Sequence, residues 1–118
     1  PNLPPRDQVF VGVNSYLRFV EENSATFLTL LQGGIGRDRE VYELIEEVRR
    51  GFVEVALARI GQNLVSPAQR TLVRGWVGMV EAASVDWVEH RSVSRDELTK
   101  LLVKTLLYTL QIGAKAAG

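Results

Sequence analysis

No cysteine occurs among the 118 residues, and His90 is the single histidine. The first absence excludes a disulfide framework, a Cys-based zinc site and a thiol nucleophile. The second argues against a His-rich metal cluster or a Ser-His-Asp triad. Net charge is also missing, since 14 Lys+Arg balance 14 Asp+Glu. That balance argues against binding nucleic acid through bulk electrostatics. No apolar run reaches the ~18 residues of a membrane span, and no signal-peptide pattern opens the chain. Together these lacks suit a soluble, cytoplasmic domain with no membrane partner. The chain opens on Pro1 rather than Met, which reads as a piece of a longer or processed protein.

What is present is a helical pattern. Hydrophobic residues make up 46% of a chain whose length suits one domain, burying roughly two-thirds of its unfolded surface. No stretch alternates as a strand does between hairpin turn signals. Breakers fall at Pro1 to Pro5, Gly33-Gly34-Ile35-Gly36, Gly61 to Pro67 and Ser92 to Ser94. Between them the apolar residues follow the helical period, which predicts five helices. The first runs from Pro5 to Glu22. A short second runs from Ser24, a candidate N-cap, to Gln32. The third runs from Asp38, also a candidate cap, to Ile60, with Glu46, Glu47, Arg49 and Arg50 read as a solvated face. The fourth runs from Ser66 to Arg91, where a capping hydroxyl precedes proline at the first helical position. The fifth runs from Ser94 to Ala114, with Ser94 and Glu97 spaced as a capping box.

The last two helices stand apart because both are apolar nearly all round. On the fourth, Leu72, Trp76, Met79, Val80, Ala83 and Trp87 form one stripe, and Gly75, Gly78 and Ala82 form a separate small-residue stripe. Only an arc near Arg74 and Glu81 reads as wet. On the fifth, Leu98, Leu101, Leu102, Leu106 and Ile112 cover one side while Val103, Leu107 and Leu110 cover much of the other. A helix of this kind needs cover on two sides. A second copy of the chain supplies it most simply, as an isologous four-helix bundle. Packing of the small-residue stripe on the first helix within one protomer is the alternative.

The candidate chemistry is sparse. Aromatic residues recur at inward positions, with Trp76 and Trp87 near one azimuth, as in an apolar pocket wall or a plain core. Asp86 and His90, four residues apart, suit a local ion pair or a polar anchor. Asn14, Arg59, Thr105 and Thr109 also interrupt apolar faces. Gly33 to Gly36 follows a helix and has no Lys-Ser/Thr after it, so it is a poor phosphate cradle. No catalytic set, metal site or cofactor motif is read.

Several strings in fixed order carry a resemblance: YLRFVEEN at 16–23, FLTLLQGG at 27–34, RGWVGMVEAA at 74–83, and DWVEHR at 86–91 leading into SRDEL at 94–98. They resemble the C-terminal regulatory half of TetR-family transcriptional regulators, over nearly the whole chain. The resemblance implies an all-α, five-helix regulatory domain over residues 1–118. Its last two long helices would form a four-helix bundle with a symmetry-related copy, giving a homodimer. It further implies a pocket for a small hydrophobic effector and no enzymatic activity. Operator DNA would be reached only through an N-terminal helix-turn-helix domain that this chain lacks. On this reading effector enters between the first, third and fourth helices. The pocket wall is expected to draw on Tyr16, Phe19, Phe27, Phe52, Trp76, Met79 and Val80. The dimer seam is expected to draw on Gly75, Gly78, Ala82, Leu101, Leu102 and Leu106. A helical dimerisation or scaffold module with a filled core and no ligand is the rival reading.

Overall fold

A computed structural model describes residues 3–29, 39–60 and 66–117. The described residues form five α-helices: α1 (Pro5–Glu22), α2 (Ser24–Thr29), α3 (Arg39–Ile60), α4 (Pro67–His90) and α5 (Arg95–Ala117). No strand occurs among them. The expected extension of the second helix to Gln32, the Asp38 cap and the glycine turn at 33–36 lie outside the described residues.

Local chemistry sets the boundaries. Pro5 begins α1, where its missing N–H costs nothing, and the N–H of Gln8 bonds to the Pro4 carbonyl. At α4 the capping box is complete: Ser66 Oγ accepts from the Gln69 N–H at 3.1 Å, and Gln69 Oε1 accepts from the Ser66 N–H at 2.8 Å. At α5, Ser94 Oγ accepts from the Glu97 N–H at 3.1 Å. That helix runs to Ala117, three residues past the sequence expectation, and within it Gly113 packs on α4. A Cβ at Gly113 would lie 2.7 Å from Gln69 Cγ and 3.1 Å from Gln69 Cα. Gln69 Nε2 also donates to the Leu110 carbonyl at 2.8 Å. The two long helices therefore touch backbone to backbone at this end. At the other end α4 stops at His90, with Arg91 in the left-handed conformation at φ 53°.

The core lies where α4 and α5 pack on each other and on α1, and α3 covers a flank of α4 and α1. Leu17, Val20, Leu57, Val73 and Leu106 are almost fully buried. The indole N–H groups find main-chain partners in this core, Trp76 Nε1 at the Leu102 carbonyl (2.9 Å) and Trp87 Nε1 at the Val93 carbonyl (2.7 Å). Polar side chains lock the α4–α5 turn to α1. Glu21 accepts from Arg91 at 2.6 Å and from Arg95 at 2.8 Å, and Arg95 Nε donates to Asn14 Oδ1 at 3.0 Å. No described helix is long and apolar enough to cross a membrane.

Candidate functional site

A cavity of about 240 Å³ opens between α1, α3 and α4. Helical spacing brings each wall to it. From α1 come Gln8, Gly12 and Tyr16, each four residues from the next, with Val9 and Val13 beside them. From α3 come Phe52, Val55 and Ala56, and from α4 Trp76, Val77, Val80 and Glu81. Val9, Val13, Trp76, Val77 and Val80 are buried, so the floor is apolar. Phe52 and Val55 are exposed and stand at the mouth. Gly12 lines the wall without a side chain, and a Cβ there would meet nothing within 4 Å.

Four of the seven residues expected at a pocket wall, Tyr16, Phe52, Trp76 and Val80, line this cavity. Phe19 does not: it is 53% exposed, off the inward face that Tyr16 and Val20 share. Met79 is 40% exposed and turned away, because one step along a helix rotates a side chain by more than a quarter turn. The side chain of Phe27 lies outside the described residues. The other eight lining residues, Gln8, Gly12, Val55 and Glu81 among them, were not expected at the wall. The repeat Gln8–Gly12–Tyr16 carried a signal for the first two, being one helical edge with a side chain missing in the middle.

Glu81 leads to the electrostatics of the site. Arg49 grips it through two bonds, Nε to Oε1 at 2.7 Å and Nη2 to Oε2 at 2.6 Å. The third guanidinium nitrogen donates to Glu46 Oε1 at 2.5 Å, and Arg74 donates to the same carboxylate at 3.0 Å. These contacts correct two expectations. Glu46 and Arg49 are not a solvated face, and the arc at Arg74 and Glu81 is not simply wet. The third and fourth helices pack charged edge to charged edge, which a wheel drawn for one helix cannot reveal. Arg49 holds the Glu46 carboxyl below its ordinary value of 4.5, with Arg74 helping against partial desolvation. The Arg49 guanidinium is stabilised upward by Glu81 first and Glu46 second. On the cavity's inner side, burial pushes the Tyr16 phenol up to about 12, opposed by a hydrogen bond with Ser84. Beyond the Glu81–Arg49 bridge lies a more open cleft lined by Arg74, Gly78, Ala82 and Val85. Glu81 lines both hollows and is their common wall.

The residues expected at a dimer seam divide. Gly75, Ala82 and Leu101 are exposed and Gly78 is half-buried. A Cβ on Gly75 would meet nothing within 4 Å, so no neighbour among the described residues requires that glycine. Leu102 and Leu106 must be corrected: they are 2% and 1% exposed, belong to the protomer's own core, and cannot also face a partner. The outward apolar positions of α5 are instead Leu101, Tyr108 and Ile112, and those of α4 include Leu72 and Met79. Asp86 and His90 form an exposed pair at 3.3 Å, away from the cavity lining. Thr105 donates to the Leu101 carbonyl within its own helix, and the Arg59 side chain lies outside the described residues. Among the described residues no group of three or more acidic, His or Cys side chains is placed to hold a metal ion.

No curated protein and no solved structure matches the chain. The family model described as the tetracyclin repressor-like C-terminal domain matches residues 5–109, which takes in α1 through most of α5. With its all-helical order, the chain belongs to the TetR-like C-terminal domain family, the regulatory domain of transcriptional regulators.

Proposed function

We propose that this domain senses a small hydrophobic effector in the cavity between α1, α3 and α4, and that it pairs with a second copy through the outer faces of α4 and α5. The observation that carries the reading is a cavity with buried apolar walls and an exposed aromatic mouth, on helices whose inner faces are otherwise filled. Apolar concave sites with a few placed polar groups are the usual form of small-molecule pockets. Effector wedged against Phe52 and Trp76 favours one spacing of α3 from α4. In the full regulator, a DNA-binding head joined to this domain responds to that spacing with altered operator affinity. Such coupling requires the effector to bind the two packings unequally.

The dimer part rests on Leu101, Tyr108 and Ile112 of α5 and Leu72 and Met79 of α4, which are large, apolar and exposed in the protomer. Exposed patches of this sort mark interaction sites, and Gly75 and Ala82 leave room for close approach. Fluorescence of the two tryptophans, Trp76 and Trp87, and a thermal shift against acyl compounds, steroids and aromatic cations test the sensing role. A compound that both quenches and stabilises supports it. Silence across the panel favours the scaffold reading.

A further inference from the structure

Resting on the cavity's role as effector site, we propose that the Arg49–Glu81 bridge sets the charge class of the ligand, admitting an uncharged compact hydrophobe and rejecting ions of either sign. Among the described residues Glu81 is the one charged side chain lining the cavity. Both of its oxygens are taken by Arg49. A cationic ligand would have to displace a bidentate guanidinium to find a counter-charge. An anionic ligand fares no better. The Nε and both Nη groups of Arg49 are committed to Glu81 and Glu46, and Arg74 is turned to Glu46. An ion carried unpaired to the buried apolar floor is strongly disfavoured, so one satisfied pair excludes both charge classes there. A neutral polar atom has Gln8 within the lining, whose Nε2 already donates one bond to the Leu3 carbonyl at 2.7 Å.

Volume limits the size. A cavity of about 150 Å³ holds one benzene, so about 240 Å³ suits a frame of two fused rings or its equivalent. The bridge is also the common wall with the outer cleft, so releasing Glu81 changes the charge of the cavity without touching its apolar floor.

The test uses three probes on one bicyclic frame: 2-naphthalenemethanol, 2-naphthoate and 2-naphthylmethylammonium, titrated into the 118-residue chain by calorimetry. The alcohol is expected to bind at least tenfold tighter than either ion. In Arg49→Gln the freed Glu81 carboxylate should let the ammonium overtake the alcohol. If Arg49→Gln does not fold, Glu81→Gln serves instead. There Nε and Nη2 of Arg49, released from Glu81 while Nη1 stays on Glu46, should raise naphthoate affinity at least tenfold while the alcohol changes little. An ion binding the unaltered chain as tightly as the alcohol overturns the charge rule and leaves the effector site standing. Folded variants with unchanged preference overturn the role of the bridge. Failure of all three probes overturns this inference together with the effector site itself.

Discussion

Arg91 shows how one residue holds a strained conformation. Its backbone sits at φ 53°, where glycine is the usual occupant. The side chain offsets the strain twice: the guanidinium lies 4.7 Å from the Trp87 ring centroid and donates to Glu21 at 2.6 Å. Arg91→Ala loses both contacts and keeps the strain, whereas Arg91→Gly loses both and relieves it. Urea unfolding should therefore find Arg91→Ala less stable than Arg91→Gly by about 1 kcal/mol. Glycines divide in a similar way. Gly113 faces the Gln69 backbone, so Gly113→Ala should cost about 1–3 kcal/mol through overpacking. Gly51 is exposed with nothing within 4 Å of a Cβ, so Gly51→Ala should gain about 0.5–1 kcal/mol from helix propensity. Melting temperatures moving the same way in both variants would contradict this difference.

At the scale of elements, two ionic clamps fix the bundle: α3 to α4 through Glu46, Arg49, Arg74 and Glu81, and α1 to the α4–α5 turn through Glu21, Arg91 and Arg95. A double-mutant cycle on Arg49 and Glu81 should return a coupling of about 0.5–3 kcal/mol, because the pair is bidentate and half-shielded. The clamps also make stability depend on pH. Glu21 is held below 4.5 first by the Arg91 hydrogen bond, and Glu46 by that of Arg49. A carboxyl lowered on folding stabilises the fold above its unfolded value, and that stabilisation is lost as pH falls through the folded value. Unfolding followed by circular dichroism should show stability declining below about pH 4.5. The declining arm should be shallower in Glu46→Gln. The alkaline limb has the opposite origin. Burial raises Tyr16 from 10.0 to about 12, so its contribution is complete below pH 10 and fades as pH climbs towards 12. Tyr16→Phe should flatten that limb.

For the whole molecule, the outer faces of α4 and α5 decide the assembly. Tyr108 is 56% exposed, so Tyr108→Glu leaves the protomer's core untouched and places a charge on the proposed seam. Sedimentation is expected to give a dimer for the unaltered chain and a monomer for Tyr108→Glu, with the same helical content. A variant that stays dimeric would move the seam off this face of α5. Effector added to the unaltered dimer should raise its melting temperature, since a ligand bound only by the folded state stabilises it by mass action.

Periodicity and capping chemistry determined the helices. The starts at Pro5, Ser66-Pro67 and Ser94, and the inward order of Val9, Val13, Leu17 and Val20, follow from residues a few positions apart, so they can be read along the chain. Tyr16, Trp76 and Val80 were legible as inward aromatic and aliphatic positions for the same reason, whereas Phe52 lines the cavity from its exposed mouth. Which faces meet was decided only in three dimensions. Leu101 and Leu102 look alike on a wheel, yet one is exposed and the other is core. Glu46 and Arg49 read as solvated until α3 is laid beside Glu81 and Arg74. A single helix fixes the azimuth of each side chain, but burial and charge pairing belong to pairs of helices, and those arise only when the bundle closes.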